Sequence, residues 1–282
     1  MRRALIALFT LLLGAGAVLT AAWGLAAPSH DRAWPPVYER VATVAHTPHG
    51  VRLGNVRNWS YAPDGTPAAR DWITARLDED DLVRVWFLME PFSDNPAIAH
   101  TMLAFEFAGG AAYVASVEAR RETGESYSAL RGALWPAYEY LWVWSTERDA
   151  YANSTWYTED QLYLYPLDLP PEDARAVLRR VLADTARVED KPRWYNTLLA
   201  NCTNVLARAV NAGGGPRGLP WDISWVLPGY ADSFLAREGY IAAPEGFAAA
   251  ERAAHITPLI PAAYEQSDPA AFSRRLRALM GG

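Results

Sequence analysis

The sequence predicts an α+β fold in which an antiparallel sheet packs against helices, behind one apolar amino-terminal segment. Short runs typical of β-strands fill the region from Val51 to Tyr165. After Pro170 and Pro171 the spacing of apolar residues becomes helical. Apolar residues make up 51% of the 282 residues, which is enough for one sizeable core. Strands followed by helices favour an α+β domain over a doubly wound one.

The amino terminus is basic and then apolar. Arg2 and Arg3 precede an uninterrupted apolar stretch, residues 4–27, which is long enough to span a bilayer. A cleaved signal usually has a shorter apolar core of roughly 7–15 residues and a clear small-residue cleavage site, whereas Ala26–Ala27 runs into Pro28. We therefore favour an uncleaved single-pass anchor over a cleaved signal, with the rest of the chain facing the periplasm or the exterior.

The chain divides into four predicted parts. These are an anchor or signal (1–27), a proline-containing linker (28–50), a catalytic periplasmic domain (51–245) and a tail (246–282). Within the tail, Asp268 to Met280 has the spacing of a short basic amphipathic helix. We expect this helix to pack on the domain rather than on the membrane.

The clearest local signal in the domain is a β-hairpin. His100–Phe107 and Ala112–Arg120 are both rich in strand formers, and they flank Ala108–Gly110, which supplies glycine for the turn. The remaining strand and helix candidates follow the same reasoning. The further strands are 51–61, 72–77, 82–90, 138–144 and 161–165, and the helices are 172–186, 202–211 and 230–237.

Composition excludes several classes of function. The net charge of −6 and the lack of a basic cluster argue against nucleic acid as a partner. Short metal-ligand spacings are missing, so we expect neither a metal nor another cofactor. Most of the 12 tryptophans should fill the core. Trp135, Trp142 and Trp144 lie close enough in sequence to suggest an apolar groove or membrane-facing surface.

The only cysteine, Cys202, is the first candidate for chemistry. Exported chains normally use cysteine in disulfide pairs, so a lone thiol is either a buried small hydrophobe or a reactive group. Asn201 is a good N-cap for a helix that stops near Asn211–Gly213, which places Cys202 at its first position. The free N–H groups and the dipole at a helix start stabilise a thiolate, and they can also receive an oxyanion.

A thiol nucleophile needs a base, and His100 is the best candidate among five histidines because it alone opens a strand of the predicted sheet. If the hairpin turn is Ala108–Gly110, Glu118 lies directly opposite His100. If the turn is Gly109–Gly110 alone, Glu118 becomes a diagonal neighbour. The alternatives are a histidine bonded to backbone, and a solvated Glu118 paired with a neighbouring arginine.

Four more residues are candidates for oxyanion or substrate positioning. Tyr195, Asn196 and Asn201 come just before the cysteine, and Arg120 closes the second hairpin strand. The competing interpretation is simple packing, capping and salt bridging. A cysteine at the start of a helix that packs on an antiparallel sheet is the layout of papain-like thiol enzymes. Here the histidine strand precedes the cysteine, as in circularly permuted versions of that fold.

Several motifs in fixed order resemble the Lnb N-terminal periplasmic domain family, over roughly residues 50–240. They are Asn55-Val56-Arg57-Asn58-Trp59, Ala99-His100-Thr101, Ser116-Val117-Glu118-Ala119-Arg120-Arg121-Glu122, Glu147-Arg148-Asp149, Tyr163-Leu164-Tyr165, Trp194-Tyr195-Asn196, Asn201-Cys202-Thr203 and Leu227-Pro228-Gly229-Tyr230-Ala231-Asp232. The resemblance implies a permuted fold related to NlpC-type amidases and lecithin-retinol acyltransferases, with a Cys/His pair that corresponds to Cys202 and His100.

The resemblance also implies a lipoprotein N-acyltransferase, which moves an acyl chain to the lipidated amino-terminal cysteine of a lipoprotein. Membrane phospholipid and a lipoprotein or peptide acceptor are then the expected partners, and the aromatic region around Trp142 and Trp144 is the expected acyl-chain surface. Two other functions stay open from the sequence. One is a thiol amidase or peptidase that acts on peptidoglycan peptides, and the other is a non-catalytic periplasmic binding or assembly module.

Overall fold

The computed structural model describes residues 2–212 and 218–281. In these ranges eight strands form one sheet, in the order β1-β2-β7-β6-β5-β4-β8 with β3 paired to β2. The strands are β1 (Thr43–Thr47), β2 (Gly50–Tyr61), β3 (Pro67–Leu77), β4 (Leu82–Pro91), β5 (Ala99–Phe107), β6 (Ala112–Arg120), β7 (Glu139–Thr146) and β8 (Tyr163–Pro166). The helices are α1 (Arg2–Leu25), α2 (Ala129–Leu134), α3 (Glu147–Ala152), α4 (Pro171–Asp190), α5 (Cys202–Ala212), α6 (Ala231–Arg237), α7 (Phe247–Ala254), α8 (Ile260–Tyr264) and α9 (Pro269–Leu279).

The sheet is mixed, which corrects the prediction of a purely antiparallel one. Strands β1 to β3 form one antiparallel unit and β4 to β7 form another, in which neighbours in sequence pair in space. The two units join where β7 runs parallel to β2, with Arg57 opposite Ser145. The local sequence does not predict this parallel pairing, because it depends on the direction in which β7 runs when it reaches β2. The α+β class itself is confirmed.

The predicted hairpin is present with its three-residue turn. Strands β5 and β6 pair with Met102 opposite Ser116 and Phe105 opposite Tyr113. Gly109 and Gly110 have φ values of 83° and 89°, in the left-handed region that favours glycine. The sequence allowed two registers. The observed one, if extended beyond its last pair, sets Glu118 opposite His100.

Helices cover both faces of the sheet. On one face α4 and α5 contribute Val177, Val181 and Leu206 to the main core. On the other face the tail contributes Ile256, Ile260, Phe272 and Leu276 to a second core. The helix predicted near the carboxyl end is therefore packed on the domain, because its apolar side is buried under the sheet.

Two of the three tryptophans that suggested an acyl-chain surface lie in the core. Trp142 and Trp144 are buried, and their indole N–H groups donate to Asp184 Oδ2 at 3.0 Å and Thr185 Oγ1 at 3.0 Å. The prediction of an apolar groove or membrane-facing surface there is wrong, because α4 covers this part of β7. Trp135, beyond the end of α2, remains exposed.

Helix α1 is long and apolar enough to cross a membrane, with a mean hydropathy of 2.3, and the domain does not bury it. The segment after it, predicted as a linker over 28–50, contains structured parts. Pro36–Tyr38 forms a short 3-10 helix, and β1 pairs with β2 over Thr43–Thr47. The polypeptide between the anchor and β2 is therefore partly built into the domain.

Candidate active site

The sheet opens between β5 and β6. Their pairing ends at Met102 and Ser116, although β5 stays paired to β4 as far as Ala99 and β6 stays paired to β7 as far as Arg120. The two strands therefore diverge beyond Met102 and leave a gap, which we call the notch. His100 lies on one side of the notch and Glu118 on the other. Each is two residues beyond the last paired position on its strand, Met102 on β5 and Ser116 on β6.

Helix α5 begins at the notch. As predicted, its first residue is Cys202, and Asn201 caps it by accepting a hydrogen bond from the Asn204 N–H at 2.8 Å. The Asn201 amide group donates to the carbonyls of Thr197 at 2.7 Å and Trp225 at 2.9 Å. Asn201 thus holds the loop and the helix start together. The helix ends at Ala212, and Gly213, where the predicted stop extended, lies outside the described residues.

The Cys202 thiol is buried, with 6% of the residue exposed. Burial would raise its pKa, but a hydrogen bond and the charge of His100, with hydrogen bonds from the N–H and hydroxyl of Thr101, lower it to about 7. The Thr101 N–H is free to act in this way because β6 no longer pairs with β5 there. The thiolate is therefore accessible near neutral pH.

His100 is held by groups on β6. Its Nε2 atom lies 3.1 Å from Glu118 Oε1 and 2.6 Å from Ser116 Oγ. Burial alone would lower the pKa of His100, but the Glu118 carboxylate and the thiolate raise it well above the ordinary value. Since Nε2 is engaged by Glu118 and Ser116, Nδ1 is the ring nitrogen left for the thiol.

Glu118 is the anionic end of this arrangement. Burial would raise the pKa of its carboxyl, but the charge of His100, hydrogen bonds from His100 and Ser116, and the charge of Arg121 lower it to about 2. The carboxylate is thus ionised throughout the physiological range. A negative Glu118, a positive imidazole and an ionisable thiol follow one another, which is the order that a thiol nucleophile requires.

A family model described as the Lnb N-terminal periplasmic domain matches residues 68–228, more than half of the chain. This chain belongs to the Lnb N-terminal periplasmic domain family. The matched range includes His100, Glu118 and Cys202. No curated protein and no solved structure matched the chain.

One residue outside the range matched by the Lnb family model, Tyr38, also contacts Glu118. The Tyr38 hydroxyl donates to Glu118 Oε2 at 3.4 Å and accepts from Arg121 Nη2 at 3.2 Å. Burial and the charge of Glu118 raise the pKa of Tyr38 to about 12, so it remains a neutral donor. Sequence reasoning missed Tyr38 because it lies far from Glu118 along the chain, in the segment predicted as a linker.

Of the predicted positioning residues, Tyr195 is the one that lies near enough to Cys202 to feel its charge, and both residues are part of the main core. Burial and the charge of the Cys202 thiolate raise the pKa of Tyr195 above its ordinary value, and it also hydrogen-bonds Tyr127. A neutral phenol in this region could donate to an oxyanion.

Asn196 and Arg120 hold the polypeptide around the site. The Asn196 side chain accepts from the N–H groups of Leu198 and Leu199 at 3.0 Å each and donates to the Ala133 carbonyl. Arg120 is buried and donates to the carbonyls of residues 38 and 39 at 2.8 and 3.1 Å. The hydrogen bonds of Asn196, Asn201 and Arg120 are thus made with the protein itself rather than aimed at the thiol.

Three polar residues around His100 were not singled out from the sequence. Thr101 supports the thiol, and Ser116 bonds both His100 and Glu118. Glu90 on β4 lies opposite His100 in the β4–β5 pairing, and burial raises the pKa of the Glu90 carboxyl. The alternation of side chains along the strands could have indicated Ser116, which lies two residues before Glu118 on the same face.

A metal has no evident place in this site. Within residues 2–212 and 218–281, no three side chains of His, Cys, Asp or Glu are grouped so that they could hold a metal ion. The arrangement can supply a nucleophile, a base and oxyanion donors from the protein alone.

Proposed function

We propose that this protein is a cysteine-dependent acyltransferase, anchored in the bacterial inner membrane, which moves an acyl chain from a phospholipid to the amino terminus of a lipoprotein. The observation that supports it best is the sequence of groups at the notch. Glu118 holds His100, His100 acts on Cys202, and the thiol lies at the start of α5. Membership of the Lnb-type family agrees with this function.

The same groups support a circularly permuted papain-like fold. A papain-like site pairs a cysteine at a helix start with a histidine on a strand. Here the histidine strand β5 and its carboxylate on β6 precede the cysteine helix α5 in the chain. This order is the reverse of the unpermuted arrangement, as a circular permutation would produce.

The first half-reaction forms a thioester. His100 takes the thiol proton, and the Cys202 sulfur attacks the carbonyl carbon of a phospholipid ester. The resulting oxyanion is received by Tyr195 and by the N–H groups of Cys202 and Thr203, which no carbonyl within the helix can satisfy. The carbon–oxygen bond then breaks, and His100 returns its proton to the leaving alkoxide, which departs as a lysophospholipid.

The second half-reaction moves the acyl group to an amine. The neutral amino group of the acceptor attacks the thioester carbonyl, and His100 accepts a proton from the nitrogen. The carbon–sulfur bond breaks as the amide forms, and the thiolate–imidazolium pair is restored. Glu118 keeps the imidazole oriented and stabilises its positive charge in both halves.

The proposal is tested by mass spectrometry of the intact full chain after incubation with phospholipid vesicles. We expect the protein to gain the mass of one fatty acyl group, and neutral hydroxylamine should remove it because a thioester is labile to that reagent. Cys202→Ala should gain no mass, and His100→Gln should acylate at least 100-fold more slowly, in line with the usual share of a general base.

Two results would reject the acyltransferase. The first is an acyl adduct of equal yield on Cys202→Ala. The second is cleavage of peptidoglycan peptides by the wild-type protein with no adduct from phospholipid, which would indicate the thiol amidase instead. Ligand binding that is indifferent to both Cys202→Ala and His100→Gln would indicate a non-catalytic module.

A further inference from the structure

Large apolar side chains are exposed on the part of the domain next to the anchor. Five of them, with exposed fractions from 38% to 70%, form what we call the anchor-side face. They are Leu130, Leu134, Trp135, Leu198 and Leu199. Apolar residues scattered singly need no explanation, but a group that shares one surface marks a site of interaction.

These residues share one surface because α2 packs on the loop that precedes Cys202. The Asn196 amide group donates to the Ala133 carbonyl at 3.1 Å, and the Thr197 N–H donates to the Gly132 carbonyl at 3.2 Å. The loop leaves Leu198 and Leu199 outside this contact. Two apolar segments that are distant in sequence are thus displayed side by side.

The anchor reaches the domain at this same face. The Trp23 indole, in the last turn of α1, donates to the Leu134 carbonyl at 2.9 Å. Two contacts follow directly along the chain, from the Ser29 N–H to Glu139 Oε1 at 3.2 Å and from His30 Nε2 to the Val188 carbonyl at 2.7 Å. The polypeptide therefore enters the domain beside α2 and the carboxyl end of α4.

The length of α1 sets the level of this contact. Its 24 residues correspond to about 36 Å of helix, somewhat more than the hydrocarbon core of about 30 Å. With Arg2 and Arg3 at the inner surface, Trp23 lies at the outer interface, where tryptophan is enriched in membrane proteins. Leu134, which is bonded to Trp23, is then at the level of the lipid headgroups.

Positive charge accompanies the apolar residues. A cleft of ≈ 150 Å³ between α4 and α5 is lined by Arg180, Arg187, Arg193 and Arg208, with Asp184 as its acidic residue. Arg208 also donates to the Leu199 carbonyl, which connects the cleft to the exposed loop. Arg187 and Arg193 pair with Asp184 at 3.6 and 2.6 Å, which leaves the cleft with a net positive charge although the chain as a whole carries −6. A cationic cleft suits an anionic lipid surface.

We propose that the anchor-side face rests on the outer surface of an anionic phospholipid bilayer. Leu130, Leu134, Trp135, Leu198 and Leu199 enter the interface, and the arginines of the cleft contact lipid phosphates. This docking goes beyond the proposed acyl transfer, since it requires no reaction at Cys202. It places the loop three residues before the cysteine in contact with lipid, so that the notch opens beside the bilayer rather than into bulk periplasm.

The test uses the full chain in nanodiscs that contain phosphatidylglycerol and phosphatidylcholine. In a Cys202→Ser background, which has no other thiol, Leu199→Cys is labelled with a fluorophore sensitive to polarity. The control is Val83→Cys, labelled in the same way. Val83 is 61% exposed. It lies near Glu79 in the chain, and the Glu79 carbonyl accepts a hydrogen bond from Arg175 in the first half of α4. This region is remote from Val188, the residue near the end of α4 that contacts the segment after the anchor.

We expect doxyl-labelled lipid to quench the label at position 199 at least threefold more than the label at position 83, with the reverse order for aqueous iodide. Replacing phosphatidylglycerol by phosphatidylcholine, or introducing Arg187→Gln, should reduce the lipid quenching at position 199. Equal accessibility of both labels to iodide would overturn the proposal. So would lipid quenching at position 199 that does not respond to the lipid charge, since the arginines would then play no part.

Discussion

Glu118 Oε1 lies 3.1 Å from His100 Nε2, across two strands that have stopped pairing. Had β5 and β6 stayed paired, their backbones would have bonded each other and left no free Thr101 N–H for the thiol. The divergence of the two strands therefore contributes to the site in two ways. It admits the start of α5, and it leaves a backbone donor facing the sulfur of Cys202.

The first prediction concerns the charge of the thiol. His100→Gln removes the main interactions that oppose the effect of burial, so the pKa of Cys202 should rise well above its present value of about 7. The rate of alkylation by iodoacetamide, followed against pH, reports this pKa directly because the chain has one cysteine. His255→Gln is the matched control, since His255 bonds Gln161 instead. An unchanged midpoint in His100→Gln would contradict the pairing.

The second prediction concerns the carboxylate. Glu118→Gln removes the negative charge that raises the pKa of His100, so that pKa should fall, and alkylation of Cys202 at pH 7 should slow at least tenfold. The titration of the histidine ring signals by NMR gives the direction. Glu172→Gln, on a side chain that is 77% exposed, should change neither quantity. Equal effects of the two substitutions would show that Glu118 acts only through the overall charge.

The third prediction concerns stability and pH. Burial raises the pKa of Asp232 to about 6, although its carboxylate accepts from Tyr165 at 2.9 Å. A raised carboxyl pKa means that the folded state binds the proton more tightly than the unfolded state, whose value is about 3.9. This group therefore favours folding below pH 4 and loses that contribution as the pH rises through 6.

Asp232→Asn removes this dependence and keeps an acceptor for Tyr165. The free energy of unfolding of the variant, relative to wild type, should increase by about 2 kcal/mol between pH 4 and pH 7. Urea unfolding at both pH values measures it. A difference that is the same at both values would show that the Asp232 carboxyl titrates normally.

The fourth prediction concerns the joint between the two halves of the sheet. Asp149 is fully buried and accepts from Arg57 Nε at 2.9 Å and from the Trp59 N–H at 2.8 Å. Asp149→Ala leaves the guanidinium of Arg57 buried without its counterion, and we expect a loss of about 3–5 kcal/mol of stability.

A surface ion pair provides the comparison for this joint. Glu79→Ala removes a carboxylate that contacts Arg179 at 2.8 Å where both side chains are well exposed, so its cost should be at most about 1 kcal/mol. The denaturant midpoints of Asp149→Ala and Glu79→Ala measure the two losses of stability, and the midpoint of Asp149→Ala should be clearly the lower. Similar midpoints would mean that Asp149 is not the counterion on which Arg57 depends.

This ion pair explains two of the motifs that resemble the Lnb N-terminal periplasmic domain family. Arg57 and Asp149 belong to two motifs that are far apart in sequence, and the structure shows them as one buried ion pair between β2 and α3. Neither was a candidate site residue, because a buried charge cannot be recognised in sequence before its partner is known. Tyr38 is uncharged, and it was missed because its partner Glu118 is far away in sequence.

Local chemistry made several features readable from the amino-acid sequence. The glycines of the β5–β6 turn set the register that brings Glu118 to His100, and Asn201 sets the start of the cysteine helix. These features depend on residues a few positions apart. Tertiary structure alone decided the parallel join of β2 and β7, the burial of Trp142 and the return of Tyr38 to Glu118. Each of those is a contact between distant segments, whose energy depends on what else packs there and not on the neighbouring sequence.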